Sequence, residues 1–158
     1  MSYNYTITRF KVSDWDEIDV RDEAKADFDM IRKEIIFNEI FTNAAPFYTL
    51  RCDNKVIFIW GISYGGMYSY FPCIVASKEA GKHARKIRNL IYDYFAFYVP
   101  KTCRRLEAYC DIMDKKAVRL AQYFGFSIIG IRHYASAEGH DQVILEKLML
   151  MDPRKETK

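Results

Sequence analysis

The stretch Lys115-Lys116-Ala117-Val118-Arg119-Leu120-Ala121-Gln122-Tyr123-Phe124-Gly125-Phe126 decides the fold. Asp114 stands immediately before it and can cap first-turn N–H groups, while Gly125 stands where a helix closes through a left-handed residue. The spacing predicts a helix over 115–124 that turns at Gly125 straight into a strand over 126–131. Another strand, over 143–150, follows through Ala137-Glu138-Gly139-His140, and a short strand over 106–112 precedes the helix.

Working outward, 77–98 carries Ala80, Ala84, Ile87, Ile91, Tyr94 and Phe95 at helical spacing, and Pro100 ends that run. Three β-rich runs, 47–52, 55–64 and 67–76, are separated by Asp53-Asn54 and Gly65-Gly66, two-residue pairs of the hairpin type. Pro72 interrupts the third run; lacking an N–H donor, it belongs at a bulge or an unpaired stretch of strand. Phe28, Ile31, Ile35, Ile36 and Ile40 predict an amphipathic helix over about 23–42, closed before Pro46. At the start, 5–12 alternates as a half-buried strand does, and Ser13-Asp14 offers an N-cap before Trp15. The expected order is β-α-α-β-β-β-α-β-α-β-β, one mixed-sheet α/β domain over 1–151 with a polar tail at 152–158.

Composition agrees with one globular domain: 158 residues, 50% hydrophobic and 28% charged, with 24 Lys+Arg against 21 Asp+Glu giving a net charge of +3. Disorder and collagen-like repeats are excluded. The longest apolar runs fall far short of the roughly 20 residues a membrane-spanning helix needs. Without a secretory or lipidation signal the chain is expected in a cytoplasm, where Cys52, Cys73, Cys103 and Cys110 remain reduced and mostly buried. Aromatic residues make up 16% of the chain, which permits a flat interaction surface such as a homodimer contact. No metal-ligand spacing, nucleophile elbow, Walker loop or dinucleotide fingerprint occurs.

The element order, together with a helix ending in Gly125-Phe126, resembles the GNAT superfamily of acyl-CoA-dependent N-acyltransferases. The segment Ala80-Gly81-Lys82-His83-Ala84-Arg85-Lys86-Ile87-Arg88-Asn89-Leu90-Ile91 also resembles the basic helix of GNAT-like internal virion proteins of short-tailed bacteriophages, which implies a phage-encoded chain. The first resemblance implies acetyl transfer from acetyl-CoA to an amine acceptor. The second carries an alternative, a catalytically inactive structural protein with virion or host proteins as partners.

By position, the GNAT resemblance sets the backbone of Cys73, Ile74 and Val75 against the cofactor, beside a bulge at Pro72, and Gly81, Lys82, His83, Ala84 and Arg85 at its phosphates. The family's phosphate loop has glycines because a side chain would hold the phosphate away. Here a register from Lys78 places Gly81 and His83 at those positions, and one from Glu79 places Lys82 and Ala84; neither completes the pattern. Lys78, Lys82, His83, Arg85, Lys86 and Arg88 crowd the predicted helix start, where cations oppose the macrodipole unless an anion joins them. A solvated basic face explains the same charges, and nucleic acid is a third partner class, ranked last because a pI near 8.6 is low for a dedicated binder.

Acetyl transfer needs a base for the amine and an acid for the departing thiolate. Tyr68 and Tyr70 on the third β-rich run, and Glu107 and Asp111 on the next strand, are the base candidates. Alternation puts Glu107, Tyr109 and Asp111 on one face, and Asp111 is the first choice. The tyrosine that serves as acid in many GNAT enzymes is replaced by Ala121, with Tyr123 about 200° around the helix from it. His133 and His140 read as surface residues of the loop before the last strand.

Overall fold

Alternating apolar residues in the first half of the chain build an antiparallel meander, and the second half adds three strands to its far side. A computed structural model describes residues 3–25, 28, 46–64, 69–99, 103–136 and 138–149. The elements are β1 (Tyr5–Arg9), α1 (Asp14–Glu17), a 3-10 turn (Asp22–Ala24), β2 (Tyr48–Cys52), β3 (Lys55–Tyr64), β4 (Ser69–Ala76), a second 3-10 turn (Ala80–His83), α2 (Ala84–Tyr98), β5 (Arg105–Asp111), α3 (Lys115–Tyr123), β6 (Ser127–Arg132) and β7 (Gln142–Leu148). Most of the helix predicted over 23–42, the Gly65-Gly66 turn and Pro100 lie outside the described residues.

One seven-stranded mixed sheet runs β1-β2-β3-β4-β5-β7-β6. Asp53 and Asn54 both take positive φ, 48° and 68°, as a two-residue hairpin turn between β2 and β3 requires. Ile57 is an extra residue in β3, because Leu50 pairs with Phe58 and Arg51 with Val56. Ile57 and Phe58 consequently enter the same core, while Val56 and Ile59 enter the other. The larger core packs α2 and α3 on one face of the sheet; the smaller gathers Phe10, Trp15, Ile18, Phe47 and Val75 on the opposite face.

Helix α3 forms as its local signals direct. Asp114 Oδ1 accepts the Ala117 N–H at 3.0 Å. At the other end Gly125 takes φ 86°, its N–H reaching Gln122 O at 2.9 Å and the Phe126 N–H reaching Ala121 O at 3.2 Å. These two bonds are the paired closure of a left-handed helix end.

Three local expectations change. Pro72 sits not at a bulge but at the other place expected for it, a stretch unpaired on one side: β3 and β4 pair without a register shift from Tyr64↔Tyr70 to Phe58↔Ala76, with Pro72 opposite Ile62, while pairing with β5 ends at Tyr70. A proline keeps such a place when its nitrogen faces away from the partner strand, so its missing donor is turned toward β5. Ser13 makes no side-chain cap; the Asp14 carboxylate points inward instead, accepting from Thr49 Oγ1 at 2.6 Å and Lys11 N at 3.0 Å and pairing with Arg51 at 2.6 Å. The helix predicted from 77 begins at Ala84. Ser77 N–H donates to Ile57 O and Lys78 N–H to Asp19 O, which ties these two residues to their neighbours before the 3-10 turn over Ala80–His83 leads into α2.

Candidate functional site

Strands β4 and β5 are parallel and adjacent, yet they pair only at Ser69↔Arg105 and Tyr70↔Leu106. From Phe71 onward they splay, and Pro72 offers nothing to close the gap. The wedge opens into a cleft of about 440 Å³ whose walls are β4 from Phe71 to Ala76 and β5 from Glu107 to Asp111. Ala117, Leu120 and Ala121 of α3 line it on one side of the sheet, and Arg21, Ala24 and Phe28 on the other. Phe28 is set by stacking on Trp15, ring centroids 4.2 Å apart.

Strand alternation sorts the β5 wall. Leu106, Ala108 and Cys110 turn toward the larger core, leaving Glu107, Tyr109 and Asp111 on the opposite face. Asp111 is 7% exposed. Its Oδ1 accepts the Met113 N–H at 2.7 Å, and its Oδ2 meets His140 Nδ1 at 2.9 Å. Burial works to raise the Asp111 pKa, but the hydrogen bonds from Met113, His140 and Ser136 outweigh it and hold the carboxyl below its ordinary range.

Glu107 accepts the Tyr109 hydroxyl at 2.9 Å and pairs with Arg105. Burial and the neighbouring Glu107 carboxylate push the Tyr109 phenol up, so it stays protonated at neutral pH. The Arg132 guanidinium lies over the Tyr109 ring, 5.1 Å from its centroid. At the open end of the wedge Arg21 grips Asp114 from the other face of the sheet.

The predicted residues fall in three places. Cys73, Ile74, Val75, Glu107 and Asp111 line the cleft together. Tyr70 stands at the closed end, in the last β4–β5 pair and packed against the larger core. Tyr68 lies outside the described residues. Gly81, Lys82, His83, Ala84 and Arg85 are away from the cleft wall; Lys82 and His83 line a separate hollow of about 160 Å³ with Tyr3, Asp53, Lys55 and Glu79.

Two of the six cations expected to crowd the helix start pair with carboxylates of the protein, and a third meets a tyrosine hydroxyl. Lys78 pairs with Asp19 at 3.2 Å, Lys82 with Glu79 at 2.8 Å, and His83 Nδ1 meets Tyr5 Oη at 2.8 Å. An added Cβ on Gly81 would meet nothing, so the fold itself does not demand glycine there. Sequence reasoning missed Arg21, His140, Arg132 and Gln142. Arg132 and Gln142 sit one residue beyond the strands predicted over 126–131 and 143–150; Arg21 and His140 had no local signal.

A cleft between two splayed parallel strands, with unpaired β4 backbone on one wall and helix α3 at its side, suits an extended, amide-bearing chain. No family model matches the sequence, and no curated protein matches it. Solved structures do match. An N-acetyltransferase from Staphylococcus aureus Mu50 is 17% identical with a TM-score of 0.65, covering 93% of this chain and 99% of its own. Ard1 from Thermoplasma volcanium is 11% identical with a TM-score of 0.69, covering 93% and 99%. An acetyltransferase of the GNAT family from Streptococcus pneumoniae is 18% identical with a TM-score of 0.63, covering 93% and 100%. Superposition over 93% of its length gives this chain, with its seven-stranded mixed sheet, the fold of the GNAT N-acetyltransferases.

Proposed function

We propose that the protein is an N-acetyltransferase that binds acetyl-CoA in the β4–β5 cleft and transfers the acetyl group to an amine. One observation carries the reading: the two parallel strands part immediately after Tyr70↔Leu106 and leave a lined cleft through the sheet. When bound, acetyl-CoA supplies an activated thioester.

The chain's own residues orient and deprotonate the amine. Asp111 faces the cleft as a carboxylate and attracts the acceptor ammonium. His140 lies behind it, outside the cleft wall, and imidazole is the side chain whose ordinary pKa lies near neutrality. A proton taken at Asp111 therefore has a route through His140 toward solvent. Glu107, held by Tyr109 and Arg105, adds negative potential without being the base. Ala121 lines the cleft where the family resemblance expects a tyrosine, so α3 donates no proton there and water in the open cleft would protonate the departing thiolate.

Titration calorimetry with acetyl-CoA and CoA tests this. Saturable micromolar binding to the wild type, weakened about tenfold or more by Ala121→Trp, which fills the cleft beside α3, is the expected result. Absence of binding at millimolar ligand overturns it. That outcome supports the second reading, a GNAT-shaped structural or virion protein without catalysis, which the internal pairing of Lys78 and Lys82 favours.

A further inference from the structure

The β6–β7 side of the cleft holds groups that acetyl transfer alone does not use. Asp111, Gln142 and Arg132 stand opposite one another across β5, β7 and β6, so their side chains emerge on one face, and all three line the cleft. Each carboxylate in the cleft wall already has a partner: Asp114 has Arg21, Glu107 has Arg105, and Asp111 has His140. Arg132 makes no ion pair among the described residues; its guanidinium rests over Tyr109.

Gln142 is the second, independent sign. The residue is 7% exposed, yet its carboxamide makes no hydrogen bond among the described residues, and its polar atoms are not sealed from the cleft. A mostly buried amide without a protein partner is unfavourable, and a ligand that bonds to it removes that penalty. A planar guanidinium fork beside a donating carboxamide matches the two oxygens of a carboxylate.

We infer that Arg132 and Gln142 form an anion-recognition corner, and that the acceptor is an amine bearing a carboxylate, of the amino-acid class. The amine half of this inference rests on the acetyltransferase reading; the carboxylate corner does not. The rings of Phe71 and Tyr109, 5.7 Å apart across the wedge, supply an apolar wall for the acceptor's side chain. A polycationic acceptor would meet Arg132 with like charge and be disfavoured.

The probes are N-acetylphenylalanine and its neutral C-terminal amide, titrated calorimetrically into the full chain. The acid is expected to bind about tenfold more tightly than the amide, the scale of one charge-assisted hydrogen bond, and Arg132→Gln and Gln142→Leu should each erase most of that difference. Circular dichroism confirms that each variant is folded; where Arg132→Gln is not, Arg132→Lys carries the same comparison, with a reduced preference expected from loss of the fork. Equal binding of acid and amide by the wild type, or a preference that survives these substitutions, overturns the corner. A parallel assay follows thiol release from acetyl-CoA with phenylalanine and phenylalaninamide as acceptors. Acid preference in binding without any thiol release leaves the corner standing and removes the acetyltransferase reading. Equal thiol release with both amines, with no acid preference in binding, does the reverse.

Discussion

Arg21 holds both carboxylate oxygens of Asp114, Nη1 to Oδ1 at 3.0 Å and Nη2 to Oδ2 at 2.8 Å, across 93 positions of sequence. The contact joins the segment after α1 to the start of α3 at the open end of the wedge, where the sheet itself supplies no β4–β5 hydrogen bonds. Asp114 also caps α3, so a single carboxylate serves a helix end and a cross-sheet strap.

Removing either partner should open this end. The two side chains are 17% and 9% exposed, so the pair is shielded enough to matter. Asp114→Ala is expected to cost about 3 kcal/mol, combining a lost cap with an uncompensated guanidinium, and Arg21→Gln somewhat less. Urea denaturation reads both. An effect of Asp114→Ala no larger than the roughly 1 kcal/mol of a cap alone would show that the strap contributes nothing.

Gly61 is required by packing rather than by backbone conformation. A Cβ there would stand 2.2 Å from the Phe47 ring, and Phe47 is fully buried in the smaller core. Gly61→Ala is expected to destabilise the fold by about 3 kcal/mol, at the upper end for overpacking. Combining it with Phe47→Leu should recover part of that loss, because the smaller side chain vacates the space. Additive losses in the double variant would show that the two residues do not compete for it.

Asp111 ties the cleft to acid stability. Its carboxyl is held below the ordinary 3.8, against burial, by the bonds from Met113, His140 and Ser136. A carboxylate depressed in the folded state stabilises the fold above its unfolded value, and that contribution vanishes as pH falls through the folded value. Unfolding free energy should therefore decline below about pH 4 in the wild type, and decline less steeply in Asp111→Asn. Identical acid limbs for the two proteins would remove Asp111 from the account.

Helix α3, its Asp114 cap, its Gly125 closure and the Asp53-Asn54 hairpin follow from the amino-acid sequence by itself, because each is settled by hydrogen bonds and φ preferences within a few residues. The one-face placement of Glu107, Tyr109 and Asp111 follows too, from the two-residue period of a strand. Tertiary structure alone decided the rest. Insertion of β7 between β5 and β6 brought Gln142 and Arg132 into line with Asp111, and the β6–β7 connection delivered His140 to that carboxylate. Asp19, 59 positions away, supplied the partner of Lys78, whereas Glu79 meets Lys82 only three residues along the chain. Pro72 signalled an interruption in the sheet, but only the pairing of β3 with β4 and the parting of β4 from β5 showed which side of the strand it opens. Local signals fix what a segment becomes; which partners its side chains meet depends on strand order and register, which are set by contacts between residues far apart in the chain.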